Sequence, residues 1–360
     1  MNGPAPKPTI LDIEPYKPGK AKAAGFERPI KLSANENPLG CSPAAREAYA
    51  RTAQSLHRYP DPRAEALRQA LAQKYDLDPA RIIFGAGSDE LFSMACQAYL
   101  SPGETMVQPQ FAFAAWAIAA RAAGANVKSA PERDFHVDVD AMLAAVDETT
   151  RVVFIANPAN PTGTRIPLSE IVRLRKGLRP DTLLVLDGAY AEFCNDGGLE
   201  EWALFKNAPN VLITRTFSKL HGLASLRIGW GYAAPEIIDA LNRIRLPFNL
   251  STGAQAAALA ALADEDFVRC SVAQTNAGRA RLIALAERFG WAALPSAANF
   301  VTVRVPPSPR NAAALESALV AKGILVRRLS PYHMPDCIRI SVGTDQELDR
   351  LEEALHAILG

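Results

Sequence analysis

Beyond Arg81 the chain alternates short, uninterrupted apolar runs with longer stretches rich in Ala and Leu. The runs are R-I-I-F at 81–84, E-T-M-V-Q at 104–108, R-V-V-F-I-A at 151–156, T-L-L-V-L-D at 182–187 and N-V-L-I-T-R at 210–215. Each is bounded by Gly, Pro, Asn or Asp, and apolar runs that do not alternate with polar residues predict strands covered on both faces. Strands separated by helical stretches predict βαβ units, hence an α/β fold with a mainly parallel central sheet flanked by helices. After residue 250 the texture changes. An Ala-rich helical stretch at 254–263 and a segment at 279–289 lead to a strand N-F-V-T-V-R-V at 299–305 and a helix over 311–322. Two further runs, I-L-V-R-R-L at 324–329 and C-I-R-I-S-V at 337–342, precede a final helix. There Thr344 and Glu347 have capping-box spacing, and Leu348, Leu351, Leu355 and Ile358 share one face. The expected organisation is a Pro- and Lys-rich extended arm over 1–30, a large domain over 31–250 and a smaller α+β domain over 251–360.

Composition narrows the function classes. The 360 residues are 49% hydrophobic and 21% charged, enough apolar material for a sizeable core and against disorder. Thirty-nine basic against 38 acidic residues leave a formal charge of +1, which argues against a protein built to neutralise nucleic-acid phosphates. A local basic pocket stays compatible with that balance. Cys41, Cys96, Cys194, Cys270 and Cys337 are scattered without a C-x-x-C pair, the usage of a reducing compartment. The histidines form no H-E-x-x-H and no Cys/His cluster has zinc spacing, so no metal site is expected. The N-terminus is Pro-rich and lacks the apolar core of a signal peptide. The longest uncharged apolar run, 111–120, falls short of the roughly 18 residues of a membrane span. These features predict a cytoplasmic protein with neither nucleic acid nor membrane as partner.

Ligands of open α/β sheets sit beyond the carboxyl ends of the strands, and four elements follow such ends here. G-A-G-S-D-E, 85–90, is a glycine-rich turn opening a helix, where free backbone N–H groups and the helix dipole can cradle a phosphate. Its last position is Glu90, so the dinucleotide fingerprint G-x-G-x-x-G fails. A plain strand–turn–helix with Ser88 or Asp89 as N-cap explains the same residues. N-P-A-N-P-T-G, 157–163, reads as a rigid turn, which accounts for the prolines but not for the paired asparagines. D-G-A-Y, 187–190, leaves a carboxylate at the end of a buried strand, costly without a positive partner unless Asp187 bonds turn amides. T-R-T-F-S-K-L-H-G-L-A-S-L-R-I-G, 214–229, holds Ser218, Lys219 and Arg227. A lysine desolvated at a strand end acquires the neutral amine that Schiff-base chemistry needs. Taken singly, these residues would read as surface charge.

In this order the elements resemble the fold type I pyridoxal-phosphate aminotransferases, and most of all their histidinol-phosphate branch. The shared marks are P-Y-K-P-G-K, L-S-A-N-E-N-P, R-Y-P-D-P, G-A-G-S-D-E, N-P-A-N-P-T-G, D-G-A-Y-A-E-F, R-T-F-S-K with G-L-A and L-R-I-G, and I-R-I-S-V-G, spanning 15–343. The resemblance implies pyridoxal 5'-phosphate as cofactor, held covalently by Lys219, which also moves the substrate proton. It implies Asp187 on the pyridinium nitrogen, Asn160 and Tyr190 on the phenolic oxygen, and Ser88, Asp89, Ser218 and Arg227 around the phosphate. Tyr59 would reach the phosphate in a neighbouring subunit, making the active unit a homodimer. Phe111, two after a proline in Q-P-Q-F, takes the place of the aromatic residue stacked on the ring. Gly188 departs from the family's frequent D-E-A-Y, and Ser225 from a frequent Gly or Ala.

For substrate the resemblance implies reversible transfer of the amino group of L-histidinol phosphate to 2-oxoglutarate in histidine biosynthesis. A phosphate carries nearly two charges and calls for more donors than a carboxylate. Arg339 matches the family's anion-binding arginine. If 324–329 is a strand, Arg327 and Arg328 face opposite ways, and the resemblance picks Arg327 for the site. Tyr16 in the arm could close over the same anion. An aromatic amino-acid aminotransferase, an amino-acid-phosphate decarboxylase and a non-catalytic anion-binding module are the competing readings. The Lys219, Asp187, Asn160 and Tyr190 set argues against the last. His221 is read as packing or surface, and the role of His333 stays open.

Overall fold

The computed structural model describes residues 3–360. Its centre is a seven-stranded sheet of β1 (Ile82–Gly85), β2 (Thr105–Pro109), β3 (Asn126–Ala130), β4 (Thr150–Ala156), β5 (Leu183–Asp187), β6 (Val211–Thr216) and β7 (Gly229–Tyr232), in the order β1-β7-β6-β5-β4-β2-β3. β7 runs antiparallel to β1 and β6; the other pairings are parallel. The apolar runs are continuous for the expected reason. On β5, Leu184 and Leu186 enter one core with Val153 and Ile155, while Leu183 and Val185 enter the opposite core with Val152 and Phe154. Both faces are therefore buried, and every second side chain serves each layer.

Two strands escape the pattern of apolar runs. G-W-G-Y of β7 is short and half glycine, and β3 (N-V-K-S-A) is the sheet edge, with Asn126, Lys128 and Ser129 exposed. Polar residues on an edge strand keep it from pairing with other chains.

The second core is built by an antiparallel sheet of β8 (Ala292–Ala293), β9 (Phe300–Arg304), β10 (Arg327–Leu329) and β11 (Met334–Ser341), ordered β8-β9-β11-β10. The run I-L-V-R-R-L does not form one strand. Ile324–Leu325 pairs in parallel with Ile30–Lys31, Val326 intervenes, and Arg327–Leu329 pairs with β11. Leu32 joins this second core with Leu282, Val301, Ile338 and Leu351, so the chain threads through it before entering the large sheet. The terminal helix Asp345–Leu359 begins with the expected capping box, both reciprocal bonds of Thr344 and Glu347 being made.

The texture change at residue 250 comes one helix before the change of core. Helix Thr252–Ala263 packs Ala254, Ala257, Ala258 and Ala261 with Leu67 and Leu71 under the large sheet. Helix Glu265–Arg288, which the sequence resolves only around 279–289, sends Leu282, Leu285 and Ala286 into the second core. Small alanines on the first helix permit close approach to Pro43–Arg51, and their uniform apolarity hides which core they face. The arm is mostly extended but contains one short helix, Pro8–Leu11.

Candidate active site

The parallel strands deliver their carboxyl ends to one row. Ala156 of β4 lies opposite Asp187 of β5, and Asp187 opposite Thr214 of β6. Gly229 of β7 sits between Gly85 and Thr216. The four motifs thus start from neighbouring points although more than a hundred residues separate the first from the last.

The turn after β1 enters helix α1 (Ser88–Tyr99) through Gly87, whose φ is +85°. Gly87, not Ser88 or Asp89, holds the N-cap position, and no side chain caps it. A Cβ at Gly87 would stand 2.3 Å from Arg227 Nη2, so glycine meets both the left-handed backbone and the close approach of the guanidinium. Glu90, the residue that spoils the dinucleotide fingerprint, turns back to accept from the Ala86 N–H at 2.5 Å and the Asn249 amide at 2.8 Å. Arg227 donates to Asp89 at 3.0 Å and to Ser218 Oγ at 3.4 Å. Ser88, Asp89, Ser218 and Arg227 consequently surround one helix N-terminus, an arrangement suited to a phosphate.

Asp187 is buried at the end of β5. Its carboxylate accepts from the Ala189 N–H at 3.1 Å and the Thr214 hydroxyl at 3.4 Å, and among the described residues no basic side chain pairs with it. Burial pushes its carboxyl up to about 7. Lys219 is partly buried, and desolvation of its amine followed by the Arg339 charge lowers it to about 8. Its Nζ lies 3.4 Å from the Ala34 carbonyl and 5.8 Å from the centre of the Tyr190 ring. A lone acid and a weakly basic amine, both desolvated, mark a place prepared for a charged ligand.

The two asparagines of N-P-A-N-P-T-G have separate tasks. Asn157 pins the turn by exchanging bonds with the backbone of Ile166, at 2.9 and 3.1 Å. Asn160 accepts from Arg339 Nη1 at 2.5 Å, and the peptide bonds before Pro158 and Pro161 are both cis. Arg339 also donates to the Ser33 carbonyl at 3.1 Å and lies 5.2 Å over the Phe300 ring. Tyr190, buried beside Phe300, accepts at its hydroxyl from Asn35 Nδ2 at 3.0 Å.

Arg327 and Arg339 are directly opposed in the β10–β11 register, and both are buried. Like charges in opposed positions repel, and among the described residues neither has a carboxylate partner. Arg327 donates only to the Lys17 carbonyl, at 2.6 Å. Arg328 faces the other way and pairs with Glu316 at 3.5 Å. Tyr16, about half exposed, lies near the pair, and its hydroxyl is pushed up by partial desolvation and by Tyr332, with the two arginines opposing the shift. Tyr332, which the sequence does not single out, is therefore part of the same wall.

Of the other expected residues, Phe111 packs against the cluster of Leu329 and Tyr332, and Tyr59 lies apart. Phe111 stacks on Phe135 at 5.6 Å and donates its N–H to Glu132 at 3.1 Å. Tyr59 is 83% exposed and stacks on Phe248 at 4.6 Å, away from its own chain's cluster. His221 is buried against Phe217, and burial lowers it to about 4, as a packing residue requires. His333 is exposed at φ +59° next to Tyr332.

Gly188 has a cause the sequence does not disclose. A Cβ there would fall 1.4 Å from Arg215 Nη1. Arg215 is buried, paired with buried Glu201 at 2.6 Å and stacked over Trp202 at 4.9 Å. Introducing the acidic residue common at this place, Gly188→Glu, displaces Arg215 and strands Glu201 without its cation. The expected loss is about 3 kcal/mol of stability, measured by denaturant unfolding. Adding Glu201→Gln should recover part of it, and an unchanged midpoint for Gly188→Glu would contradict the steric account.

Residues 27–355 match the family model for aminotransferase class I and II. The chain is 48% identical to histidinol-phosphate aminotransferase 1 of Caulobacter vibrioides over 99% of both chains. It is 47% identical to the histidinol-phosphate aminotransferase of Rhodospirillum rubrum, over 99% of this chain and 97% of that one. The crystal structure of the Sinorhizobium meliloti histidinol-phosphate aminotransferase in complex with pyridoxal-5'-phosphate superposes with a TM-score of 0.92 at 32% identity, covering 100% of this chain and 99% of that one. A strand-end cluster built around a part-buried lysine and a buried aspartate thus coincides with full-length similarity, and the chain belongs to the class I and II aminotransferases, within their histidinol-phosphate aminotransferase family.

Proposed function

We propose that this chain transfers the amino group of L-histidinol phosphate reversibly to 2-oxoglutarate, with Lys219 as its catalytic residue. Three features fit pyridoxal 5'-phosphate. Asp187 is a buried carboxylate without a cation, which a protonated ring nitrogen would supply. Gly87 leaves room for Arg227 at a helix N-terminus where a phosphate would be held. Lys219 is an amine lowered to about 8, which leaves roughly a quarter of it neutral near pH 7.5. When bound, this cofactor supplies an aldehyde for the amino group and a ring that accepts the electron pair left at the substrate α-carbon.

The residues divide the remaining work. Lys219 anchors the cofactor and, once its amine is free, takes and returns the α-proton. Asp187 keeps the ring nitrogen protonated, and Asn160 and Tyr190 hold the phenolic oxygen. Ser88, Asp89, Ser218 and Arg227 hold the cofactor phosphate, the first two through backbone amides. Phe111 stacks on the ring, and Tyr16 closes over the substrate.

The observation that carries the substrate assignment is the opposed, carboxylate-free pair Arg327 and Arg339. Two guanidinium groups brought together in a buried wall suit an anion of nearly two charges better than a single carboxylate. Side-by-side kcat/KM values test it: histidinol phosphate should exceed phenylalanine and tyrosine by at least about tenfold, the scale of one charge-assisted hydrogen bond. An aromatic amino acid performing better would overturn the assignment. Because both substrates present an anion to one place, Arg339→Ala should raise KM for histidinol phosphate and for 2-oxoglutarate, each by roughly 10- to 100-fold. An unchanged KM for 2-oxoglutarate would refute the shared site.

A homodimer is the proposed working form. Tyr59, Leu56 and Leu246 are strongly exposed, and an apolar groove lined by Ala48, Ala256, Leu259 and Ala260 runs between helices Pro43–Arg51 and Thr252–Ala263. Exposed apolar surface of this kind is a mark of a protein interface. Tyr59 would then reach the partner's cofactor phosphate. No helix among the described residues is long and apolar enough to cross a membrane, and we place the reaction in the cytoplasm.

A further inference from the structure

The segment 33–35 touches three groups of the site. The Ser33 carbonyl accepts from Arg339 at 3.1 Å, the Ala34 carbonyl lies 3.4 Å from Lys219 Nζ, and the Asn35 side chain reaches Tyr190. Asn35 is itself held from the second core. Its N–H donates to Ser341 Oγ at 2.8 Å, the Ser341 hydroxyl donates to Asn35 Oδ1 at 3.0 Å, and Asn299 Nδ2 donates to the Asn35 carbonyl at 3.0 Å. Its φ of +55° is one that asparagine tolerates far better than branched residues.

These bonds give the amide a direction. Ser341 Oγ accepts a hydrogen bond from the Asn35 backbone N–H, so its own hydrogen goes to Oδ1, and the NH₂ end is left facing Tyr190. The Tyr190 hydroxyl is then an acceptor on that side, and its hydrogen is free to be donated elsewhere. With the amide reversed, Tyr190 would donate to Asn35 and have no proton for anything in the site.

We propose that Asn35 is a positioning residue of the transamination, fixing the Tyr190 hydroxyl so that its proton points into the site at the cofactor's phenolic oxygen. The proposal rests on the reading above, in which Tyr190 meets that oxygen. It also ties Tyr190 to the anion-binding strand, since Ser341 lies two residues beyond Arg339 on β11. A donor on the phenolic oxygen disfavours retention of a proton between that oxygen and the cofactor–lysine linkage. Removing the donor therefore raises the pH at which the bound cofactor's visible absorbance band changes.

The test is a pH titration of that band in the purified holoenzyme, wild type beside Tyr190→Phe, Asn35→Gly and Asn35→Asp. Glycine accepts the left-handed backbone and deletes the amide. Aspartate keeps the shape but can only accept from Tyr190, so it guards against failure of the glycine variant to fold. Tyr190→Phe should move the midpoint up by about one unit, the size of one hydrogen bond, and both Asn35 variants should move it in the same direction. Asn35 variants that lower Tm yet leave the midpoint in place, while Tyr190→Phe shifts it, would overturn the proposal and spare the reading of the site. A midpoint unmoved even by Tyr190→Phe would overturn both.

Discussion

Lys219→Ala is expected to retain the cofactor through its phosphate and ring contacts while turnover falls by roughly 10⁴-fold or more, because covalent anchoring and proton transfer are lost together. The expectation follows from where the amine sits. An ordinary lysine near pH 7.5 is neutral in about one molecule in a thousand, whereas an amine lowered to about 8 is neutral in roughly a quarter. The cause is chiefly burial, with the Arg339 guanidinium adding repulsion. The Ala34 carbonyl at 3.4 Å gives the free amine a place to rest. His221, two residues on, cannot substitute: it is buried against Phe217, with Nδ1 unpartnered. Steady-state rates of the purified variant check this, and residual turnover above about one per cent of wild type would contradict the role given to Lys219.

Asp187→Asn should be the next most damaging change. An ion pair at about 4 Å is worth about 4 kcal/mol at an effective dielectric near 20. The ring nitrogen can shed its proton when the carboxylate is gone, so the loss in cofactor affinity stays below the corresponding factor of roughly 10³. Turnover should still fall by about 10²-fold or more, since an unprotonated ring accepts electrons poorly. The structure adds a second expectation. In the free protein burial pushes the Asp187 carboxyl up to about 7, against the bonds from Ala189 and Thr214. Supplying a cation beside it favours the charged form and should move this titration downward. Cofactor dissociation constants for the two proteins provide the check, and a change of less than about threefold would contradict the ion pair.

Much of this was legible because burial writes itself into sequence. Leu183–Leu186 and Val152–Ile155 lack polar interruption since both sheet faces are covered, and their ends show where a site must form. What stayed hidden depends on partners remote in the chain. Gly188 is set by Arg215, whose own partner Glu201 has no fixed spacing to either. Asn35 stands in a recognisable motif, yet its task appears only when Tyr190, 155 positions away, lies beside it. The strand break at Val326 is invisible because both halves of I-L-V-R-R-L are good strands, divided only by having different neighbours, Ile30–Lys31 and β11. The antiparallel β7 leaves no trace in the hydrophobic pattern because two of its four residues are glycines.

The central claim is that the amine at position 219 carries the cofactor at the meeting point of these strand ends. Borohydride reduction of the holoenzyme, followed by digestion and mass mapping, tests it most directly. The account predicts one modified peptide, the one containing Lys219. Reduction that labels a different lysine, such as Lys74, or that leaves the cofactor free, would contradict it.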